Sequence, residues 1–367
     1  MKITQITCWQ VPLKSHETYY MAEGKTCDEV ISTIIRIDTD SAHSGWGEVC
    51  PIPHYLPAYA DGVIPAIEHL APVLIGADPT HPEVVIAACD HYLQGHLYAK
   101  SALDIALHDI AAKSAGVPLY KYLGGHYQAP LPLYHSITCI APEEMARIAK
   151  EEQAAGMTQF QVKLGADKNN EADIARLRLV REAVGAGPLV YGDWNCGATS
   201  LDATRVGRAV AHLDIMLEQP CATITDCARV RQATGLPMKL DENIFDTYSL
   251  LAGYEAGCMD AGALKLSKFG GVSALRKARD LCVSLGTKMC IEDTWGSDIT
   301  TSAALHVGAS TPPHYVMNVC DLSAYVSPKL DDSLPVRNQG CITVPDGAGL
   351  GVKPNEDKLG ASLSHIS

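Results

Sequence analysis

The pattern of apolar and polar positions changes character near residue 126. Before it, three runs rich in β-branched residues predict a small antiparallel meander: KITQITCWQV, VISTIIRIDT and SGWGEVCP. Apolar residues then recur three to four apart from Tyr98 to Gly125, which predicts helices, with a stop at Gly116 and a second short helix opened by Pro118. We therefore expect residues 1–125 to form an α+β domain.

Residues 126–340 alternate short apolar runs with amphipathic helical stretches. The apolar runs are PLYHSIT, FQVKLG, LVYGDWN, IMLEQP, PMKLDEN, GALKLSK, KMCIEDT and YVMNVCDL. Eight such runs predict a parallel β/α barrel. The glycine-rich tail in residues 341–367 is expected to complete the N-terminal domain, and its GAGLG is not framed as a dinucleotide loop would be.

Composition narrows the classes of partner. The net charge of −13 argues against nucleic acid or an anionic membrane surface, both of which require clustered Lys and Arg. Although 47% of residues are hydrophobic, no run is long enough for a membrane helix, and the N-terminus lacks the apolar core of a signal peptide. The 13 cysteines show no CxxC spacing. We expect a soluble, cytoplasmic protein that acts on a small molecule.

Three carboxylates end consecutive barrel runs at nearly constant spacing. Asp193, Glu218 and Asp241 are followed by Lys265, at intervals of 25, 23 and 24 residues. Residues so spaced fall at equivalent ends of adjacent strands, and the C-terminal strand ends form the active-site face of a barrel. Three converging carboxylates repel one another unless a cation neutralises them, and all-oxygen ligands favour Mg²⁺ over zinc. The alternative is that each acid caps the helix after its strand.

Two lysines flank these acids. Lys163 lies one strand before Asp193 and Lys265 one strand after Asp241, so the two stand on opposite sides of an eight-stranded barrel. Their mutual repulsion, a nearby metal and burial are expected to lower the lysine pKa values and so make proton-transfer bases. The alternative is that both lysines simply form salt bridges with the acids.

These residues resemble those of the enolase superfamily, in the branch of mandelate racemase and muconate-lactonizing enzymes. The resemblance covers nearly the whole chain and implies a (β/α)7β modified TIM barrel under an N-terminal α+β capping domain. It implies Asp193, Glu218 and Asp241 as Mg²⁺ ligands and Lys163 and Lys265 as the acid and base. Gln161 stands where the family's Lys-x-Lys motif has its first lysine, and the run IEDTWGSDITT lacks the histidine of the mandelate-racemase type.

Finer segments, HYLPAYADGV and the GAGLGV tail among them, resemble family members that act on proline derivatives. The resemblance implies removal of an α-proton and loss of water from cis-3-hydroxy-L-proline. A two-lysine racemase or 2-epimerase of proline betaine, hydroxyproline betaine or another proline derivative is the alternative. A catalytically silent barrel that only binds a ligand is a third reading, opposed by the presence of all five acids and lysines. Many relatives form symmetric assemblies, so a homo-oligomer is expected.

The remaining site residues follow from position. Loops near residues 15–27 and 50–60 are expected to cover the barrel mouth. Candidate substrate contacts are Tyr55, Asp293, Trp295 and Asp321, with either aspartate suited to a ring NH₂⁺. Gln161 and Asn195 are expected to support the lysine and the acids from behind. A cation–π cage is less favoured, since Cys320 and Asp321 stand near the eighth run where a tryptophan would serve.

Overall fold

A computed structural model describes residues 1–127, 130–332 and 336–367. The N-terminal strands are β1 (Ile3–Tyr20), β2 (Thr26–Thr39) and β3 (Ser44–Val49). They are followed by helices α1 (Val63–Leu74), α2 (Pro82–Tyr92), α3 (Leu97–Ser114) and α4 (Leu119–Tyr122). The antiparallel meander is confirmed, and so is the break between α3 and α4 at Gly116 and Pro118.

The barrel follows a short strand β4 (Leu131–Pro132). Its strands are β5 (His135–Ile137), β6 (Gln159–Lys163), β7 (Leu189–Asp193), β8 (Met216–Glu218), β9 (Met238–Leu240), β10 (Ala261–Lys265), β11 (Lys288–Glu292) and β12 (Val316–Val319). The intervening helices are α5 (Pro142–Ala154), α6 (Asn170–Val184), α7 (Ser200–Val210), α8 (Ile224–Thr234), α9 (Thr247–Glu255), α10 (Leu266–Phe269), α11 (Val272–Leu285) and α12 (Asp298–Ala309). The eight strands pair in sequence order as one parallel sheet, and an isolated parallel bridge between Leu133 and Val319 joins its two ends. The predicted barrel is therefore confirmed.

The chain closes with β13 (Val326–Ser327), β14 (Val336–Asn338), β15 (Cys341–Thr343) and β16 (Ser364–Ile366). β13 and β16 both pair with β1, so the C-terminal segment joins the N-terminal sheet. The glycine-rich tail packs on α3, where the carboxylate of Asp109 accepts from the backbone N–H of Leu350 at 2.8 Å. A side chain at Gly349 would clash with the same carboxylate, so this glycine serves close packing against the helix.

The cap reaches the barrel mouth as a hairpin tip. Residues 15–20 continue β1, and Thr26–Cys27 begin β2, so the expected loop over 15–27 is wrong except for residues 21–25. A register shift between Lys14 and Tyr19 bends the hairpin, and the side chains of Tyr19 and Met21 reach the cavity below. Within this stretch Ser15 and Tyr19 are buried, and the Tyr19 hydroxyl donates to the backbone oxygen of Ser136 in the barrel at 2.7 Å.

Two buried carboxylates of the cap hold it to the barrel at the N-termini of α11 and α12. Asp104 accepts from the backbone N–H of Ser273 at 2.7 Å and from its hydroxyl at 2.6 Å. Glu48 accepts from the backbone N–H groups of Ser297 and Thr300, at 2.8 and 2.9 Å. Negative charge at a helix N-terminus is stabilising, so these contacts fix the loop before α12 relative to the cap. No helix in the described part of the chain has the length and apolar character needed to span a bilayer.

Candidate active site

A cavity lies between the cap and the C-terminal ends of the barrel strands. Strands β6, β7, β8, β10 and β11 each end on an ionisable residue at this face: Lys163, Asp193, Glu218, Lys265 and Glu292. Asp241 follows β9 directly. The cavity is lined from the cap by Tyr19, Met21, Ile52 and Tyr55, and from the barrel by residues that include Gln161, Lys163, Asn195, Lys265, Glu292, Asp293 and Trp295.

Four of the ionisable residues form a row across neighbouring strands. Lys163 is the register partner of Asp193, Asp193 of Glu218, and Glu218 of Lys239. Register partners in parallel strands project to the same side of the sheet, so all four side chains enter the barrel. The row begins and ends with a lysine.

Lys163 is bound within this row. Its Nζ donates to Asp193 Oδ2 at 2.5 Å and to Asn195 Oδ1 at 3.1 Å. Asn195 also donates its backbone N–H to Asp193 Oδ1 at 2.8 Å and its side-chain N–H to Glu242 Oε1 at 3.1 Å. Asn195 thus links Lys163 to two acids, and it also lines the cavity.

Lys265 lies across the barrel, against Asp241 and Tyr55. Its Nζ donates to Asp241 Oδ2 at 2.8 Å and to the Tyr55 hydroxyl at 2.6 Å, and it lies 4.4 Å from the centre of the Tyr55 ring. The Tyr55 hydroxyl in turn donates to Asp241 Oδ2. The other oxygen of Asp241 accepts from Lys268 at 2.7 Å, and Glu292 lies 3.7 Å from Lys265.

The two lysines therefore do form salt bridges with the acids, the alternative raised from the sequence. Burial disfavours the ammonium of Lys163, yet the carboxylates of Asp193 and Glu218 outweigh burial and raise its pKa above the ordinary value. Burial is likewise outweighed at Lys265, where Asp241 and Glu292 raise the pKa. With the protein's own groups alone, carboxylates are therefore the charges nearest to both lysines, whereas the expectation of lowered lysine pKa values assumed a divalent cation beside them.

The three predicted metal acids do not cap the helices that follow them. Those helices begin instead at Thr199, Thr223 and Asp246, whose side chains accept from backbone N–H groups of the first turn. The side chains of Asp193, Glu218 and Asp241 are at most 2% exposed inside the barrel. The capping alternative is therefore wrong, and another reason is needed for three buried carboxylates.

A divalent cation suits the chemistry of this group. Burial, together with Asp193 and Asp241, raises the pKa of Glu218 to about 7. Burial and the same two acids raise the pKa of the neighbouring Glu242 to about 8, and Glu242 Oε2 makes no hydrogen bond to any described residue. Within residues 1–127, 130–332 and 336–367, no three Asp, Glu, His or Cys side chains are arranged as they would be around a bound metal. Lysine ammonium groups now supply the positive charge that these hard oxygen donors could take from a divalent cation.

Three of the four expected substrate contacts line the cavity, and the fourth does not. Tyr55, Asp293 and Trp295 line the cavity. The carboxylate of Asp293 accepts from the backbone N–H and the hydroxyl of Ser267, and burial raises its pKa to about 6. Asp321 is buried, is bound by Arg337 and Ser323, and is not among the residues that line the cavity. Its charge is therefore already paired.

Three aromatic rings form one wall of the cavity. The Tyr19 ring lies 5.6 Å from that of Trp295 and 6.3 Å from that of Tyr325, and the last two are 6.4 Å apart. The indole N–H of Trp295 is buried and has no hydrogen-bond partner among the described residues. Such a wall can hold a positively charged ring nitrogen by cation–π attraction. Tyr19 comes from the cap hairpin, Trp295 from the loop after β11, and Tyr325 from just beyond the eighth apolar run, so no local stretch of sequence contains the wall.

Several site residues were missed from the sequence, although strand periodicity marks most of them. Lys239 stands two residues before Asp241, and side chains two apart in a strand point the same way. Glu292 ends β11, where the spacing of about one strand and helix calls for an ionisable residue. Lys268 lies three residues after Lys265, and Glu242 directly follows Asp241. No sequence pattern predicts their contacts with Asp241 and Asn195, which depend on the tertiary structure.

Comparison with known proteins agrees with this architecture. Residues 144–358 match the family described as enolase C-terminal domain-like, and residues 3–124 match the N-terminal domain of mandelate racemase and muconate lactonizing enzyme. The chain is 40% identical to cis-3-hydroxy-L-proline dehydratase from Roseibium aggregatum, over the full length of both. It is 28% identical to N-succinyl-L-Arg/Lys racemase from Bacillus cereus, covering 98% of this chain and 97% of the relative.

Among solved structures, a member of the enolase superfamily from Roseovarius nubinhibens, complexed with magnesium, has the same fold. The two superpose with a TM-score of 0.94 at 33% identity, covering 99% of each chain.

Proposed function

Since the chain belongs to the enolase superfamily, in the branch of mandelate racemase and muconate-lactonizing enzymes, we propose that it is a Mg²⁺-dependent dehydratase of cis-3-hydroxy-L-proline. The observation that carries the proposal is the pair of buried lysines on strands β6 and β10, the second and sixth of the barrel. Both line one cavity, and three carboxylates lie on the strands between them. The 40% identity to a dehydratase of that substrate over the whole chain supports the choice of reaction.

Asp193, Glu218 and Asp241 would hold the cation. When bound there, it would supply positive charge beside the substrate carboxylate and so make the α-hydrogen more acidic. The negative charge of the acids, which is now balanced by four lysines, would then be balanced in part by the cation. These lysines are Lys163, Lys239, Lys265 and Lys268.

The two lysines suit an anti elimination. In cis-3-hydroxy-L-proline the hydroxyl is on the same ring face as the carboxylate, and hence opposite the α-hydrogen. One lysine Nζ, in the neutral amine form that a cation bound to the acids would favour, removes the α-proton from one face, and the ammonium of the other protonates the departing hydroxyl on the opposite face. Water leaves, and the resulting enamine takes up a proton at C3 and releases one from nitrogen to become 1-pyrroline-2-carboxylate. The cap lies over the cavity and would limit the access of bulk water during these steps.

The wall of Tyr19, Trp295 and Tyr325 supports recognition of the substrate's ring nitrogen. The nitrogen is an NH₂⁺ group, which the ring faces attract and which the Asp293 carboxylate suits as a partner. Tyr55, which already bonds Asp241 and Lys265, would close the cavity on the side of the cap.

Incubation with cis-3-hydroxy-L-proline tests the proposal directly. We expect an imine product that reacts with o-aminobenzaldehyde, formed in proportion to the substrate consumed. Lys163→Ala and Lys265→Ala should both lower the rate of its formation by at least about a hundredfold, and full turnover by either variant would contradict the mechanism.

A second candidate is a 2-epimerase of a proline betaine or another proline derivative. The three-ring wall favours it, since a quaternary ammonium needs aromatic faces and offers no N–H to a carboxylate. The similarity to a racemase supports it as well. Exchange of the α-hydrogen in D₂O without loss of water, accompanied by inversion at C2, would favour this candidate over the dehydratase.

A further inference from the structure

Lys239 has no role in the proposed reaction, yet it lies at the centre of the barrel. It is the middle residue of β9 and faces the interior with 0% of its surface exposed. It is not among the residues that line the reaction cavity, so it does not reach the substrate. A buried lysine is costly unless its charge is compensated, so its surroundings should show what compensates it.

The compensating charge is Glu218. Lys239 Nζ lies 2.9 Å from Glu218 Oε1, and both side chains are fully buried. The ammonium also lies 4.9 Å from the Tyr191 ring centre and 5.6 Å from that of Tyr134. Nζ makes no hydrogen bond of good geometry within the described part of the chain. The pair is therefore held by electrostatic attraction rather than by a directional hydrogen bond.

The other oxygen of Glu218 is bound by a neutral group. Gln161 Nε2 donates to Glu218 Oε2 at 2.7 Å, and Gln161 Oε1 accepts from the Ser136 hydroxyl at 2.5 Å. Gln161 is thereby fixed between a hydroxyl and a carboxylate. Glu218 is clamped from both sides, by an amide on one strand and by a cation on the other.

We propose that Lys239 is a positioning residue that acts through Glu218 and supplies, from β9, the positive charge that residue 161 on β6 does not carry. The inference rests on the proposed function, because Glu218 is proposed as a ligand of the metal. A cation beside this ligand repels a divalent ion and attracts the negative charge that forms on the substrate when the α-proton leaves. Lys239 therefore weakens metal binding and speeds proton removal.

Lys239→Met tests this, because methionine keeps most of the side-chain length and removes the charge. Mn²⁺ binding to the full-length enzyme, first freed of divalent ions with a chelator, is measured by electron paramagnetic resonance at pH 8.5. We expect the Mn²⁺ dissociation constant to fall about tenfold, while the rate of α-hydrogen exchange in D₂O falls by about tenfold or more. Lys239→Arg, which keeps the charge, should stay within about threefold of the wild type in both.

The matched control is Lys100→Met in the cap. Lys100 is also a buried lysine in an ion pair, with Asp90 at 2.7 Å, but it lies outside the site. We expect this variant to bind Mn²⁺ and exchange the α-hydrogen as the wild type does. A structural defect at Lys239 would weaken Mn²⁺ binding and lower the melting temperature, whereas a lost charge tightens Mn²⁺ binding.

A double variant, Gln161→Lys with Lys239→Met, moves the cation to the opposite oxygen of Glu218. It should fold and recover both the Mn²⁺ affinity and the exchange rate, and it decides the question if Lys239→Met alone does not fold. Unchanged or weakened Mn²⁺ binding in Lys239→Met, or a double variant that fails to recover, would overturn the proposal. Failure of the proposed dehydration leaves the Mn²⁺ result intact, so the two hypotheses fail separately.

Discussion

Tyr55→Phe removes one oxygen atom from the contact between cap and barrel. The hydroxyl accepts from Lys265 Nζ at 2.6 Å and donates to the Asp241 carboxylate, so both of its partners are charged. A hydrogen bond to a charged group contributes about 1.5–3 kcal/mol. Phenylalanine keeps the ring 4.4 Å from Lys265, so the cation–π attraction persists and the change isolates the hydroxyl.

If the hydroxyl holds Lys265 in its reactive position, that energy appears in the barrier, and kcat should fall about tenfold to about 150-fold. The rate of α-hydrogen exchange in D₂O is the appropriate assay, since it precedes the step at which dehydration and epimerisation diverge. Tyr59→Phe is the matched control, because Tyr59 belongs to the same cap segment and is 57% exposed. A Tyr55→Phe enzyme that keeps more than about half the wild-type exchange rate would refute the positioning of Lys265 by Tyr55.

Three further predictions follow from the site and the core. Removal of divalent cations by EDTA should lower turnover by at least about a hundredfold, and Mg²⁺ should restore it, whereas activity that survives chelation would exclude the metal proposal. Lys163→Ala and Lys265→Ala should each reduce dehydration by about 10²–10⁴-fold; the variant that lacks the base loses exchange in D₂O, and the one that lacks the acid keeps it, which assigns the two roles. Burial lowers the pKa of His306 from 6.5 to about 4, so the unfolded chain binds the extra proton between these values and stability falls as the pH falls through this range. Between pH 7.5 and pH 5 His306 should account for about 2 kcal/mol of lost unfolding free energy, measured by urea denaturation as the difference from His306→Gln, and an identical pH dependence in that variant would contradict this.

The positions of the acids could be predicted from the sequence, but the lysines with which they pair could not. Spacing along the chain placed Asp193, Glu218 and Asp241 at adjacent strand ends, because each strand, loop and helix of a barrel uses a similar length of chain. It did not reveal that Lys239 and Lys268 would meet these acids, since that depends on barrel curvature and on the turn after β10. The raised pKa values of Lys163 and Lys265 have the same origin, since, with the protein's own groups alone, they follow from which carboxylates lie nearest to each lysine.

The cap hairpin is another example. Residues 15–20 have mixed polar and aromatic character and predict a loop, but in the fold Tyr19 and Tyr20 pair with β2, and the Tyr19 hydroxyl donates to the backbone oxygen of Ser136 in the barrel. Tertiary burial overrides weak local preference there, and it brings Tyr19 to Trp295 across some 275 residues of chain. Asp321 is a further example. The eighth apolar run predicted its place beside the barrel mouth, but its ion-pair partner Arg337 comes from β14 and could not be predicted from that run.

The sequence by itself determined the barrel, its cap, and the five acids and lysines at the mouth, because these follow from periodicity and from the regular length of each strand and helix. Only the tertiary structure decided which charges pair, which aromatic rings form the wall, and that Glu218 is clamped between Gln161 and Lys239. Those features join residues far apart in the chain, and their energies depend on distance and burial, which no local pattern encodes.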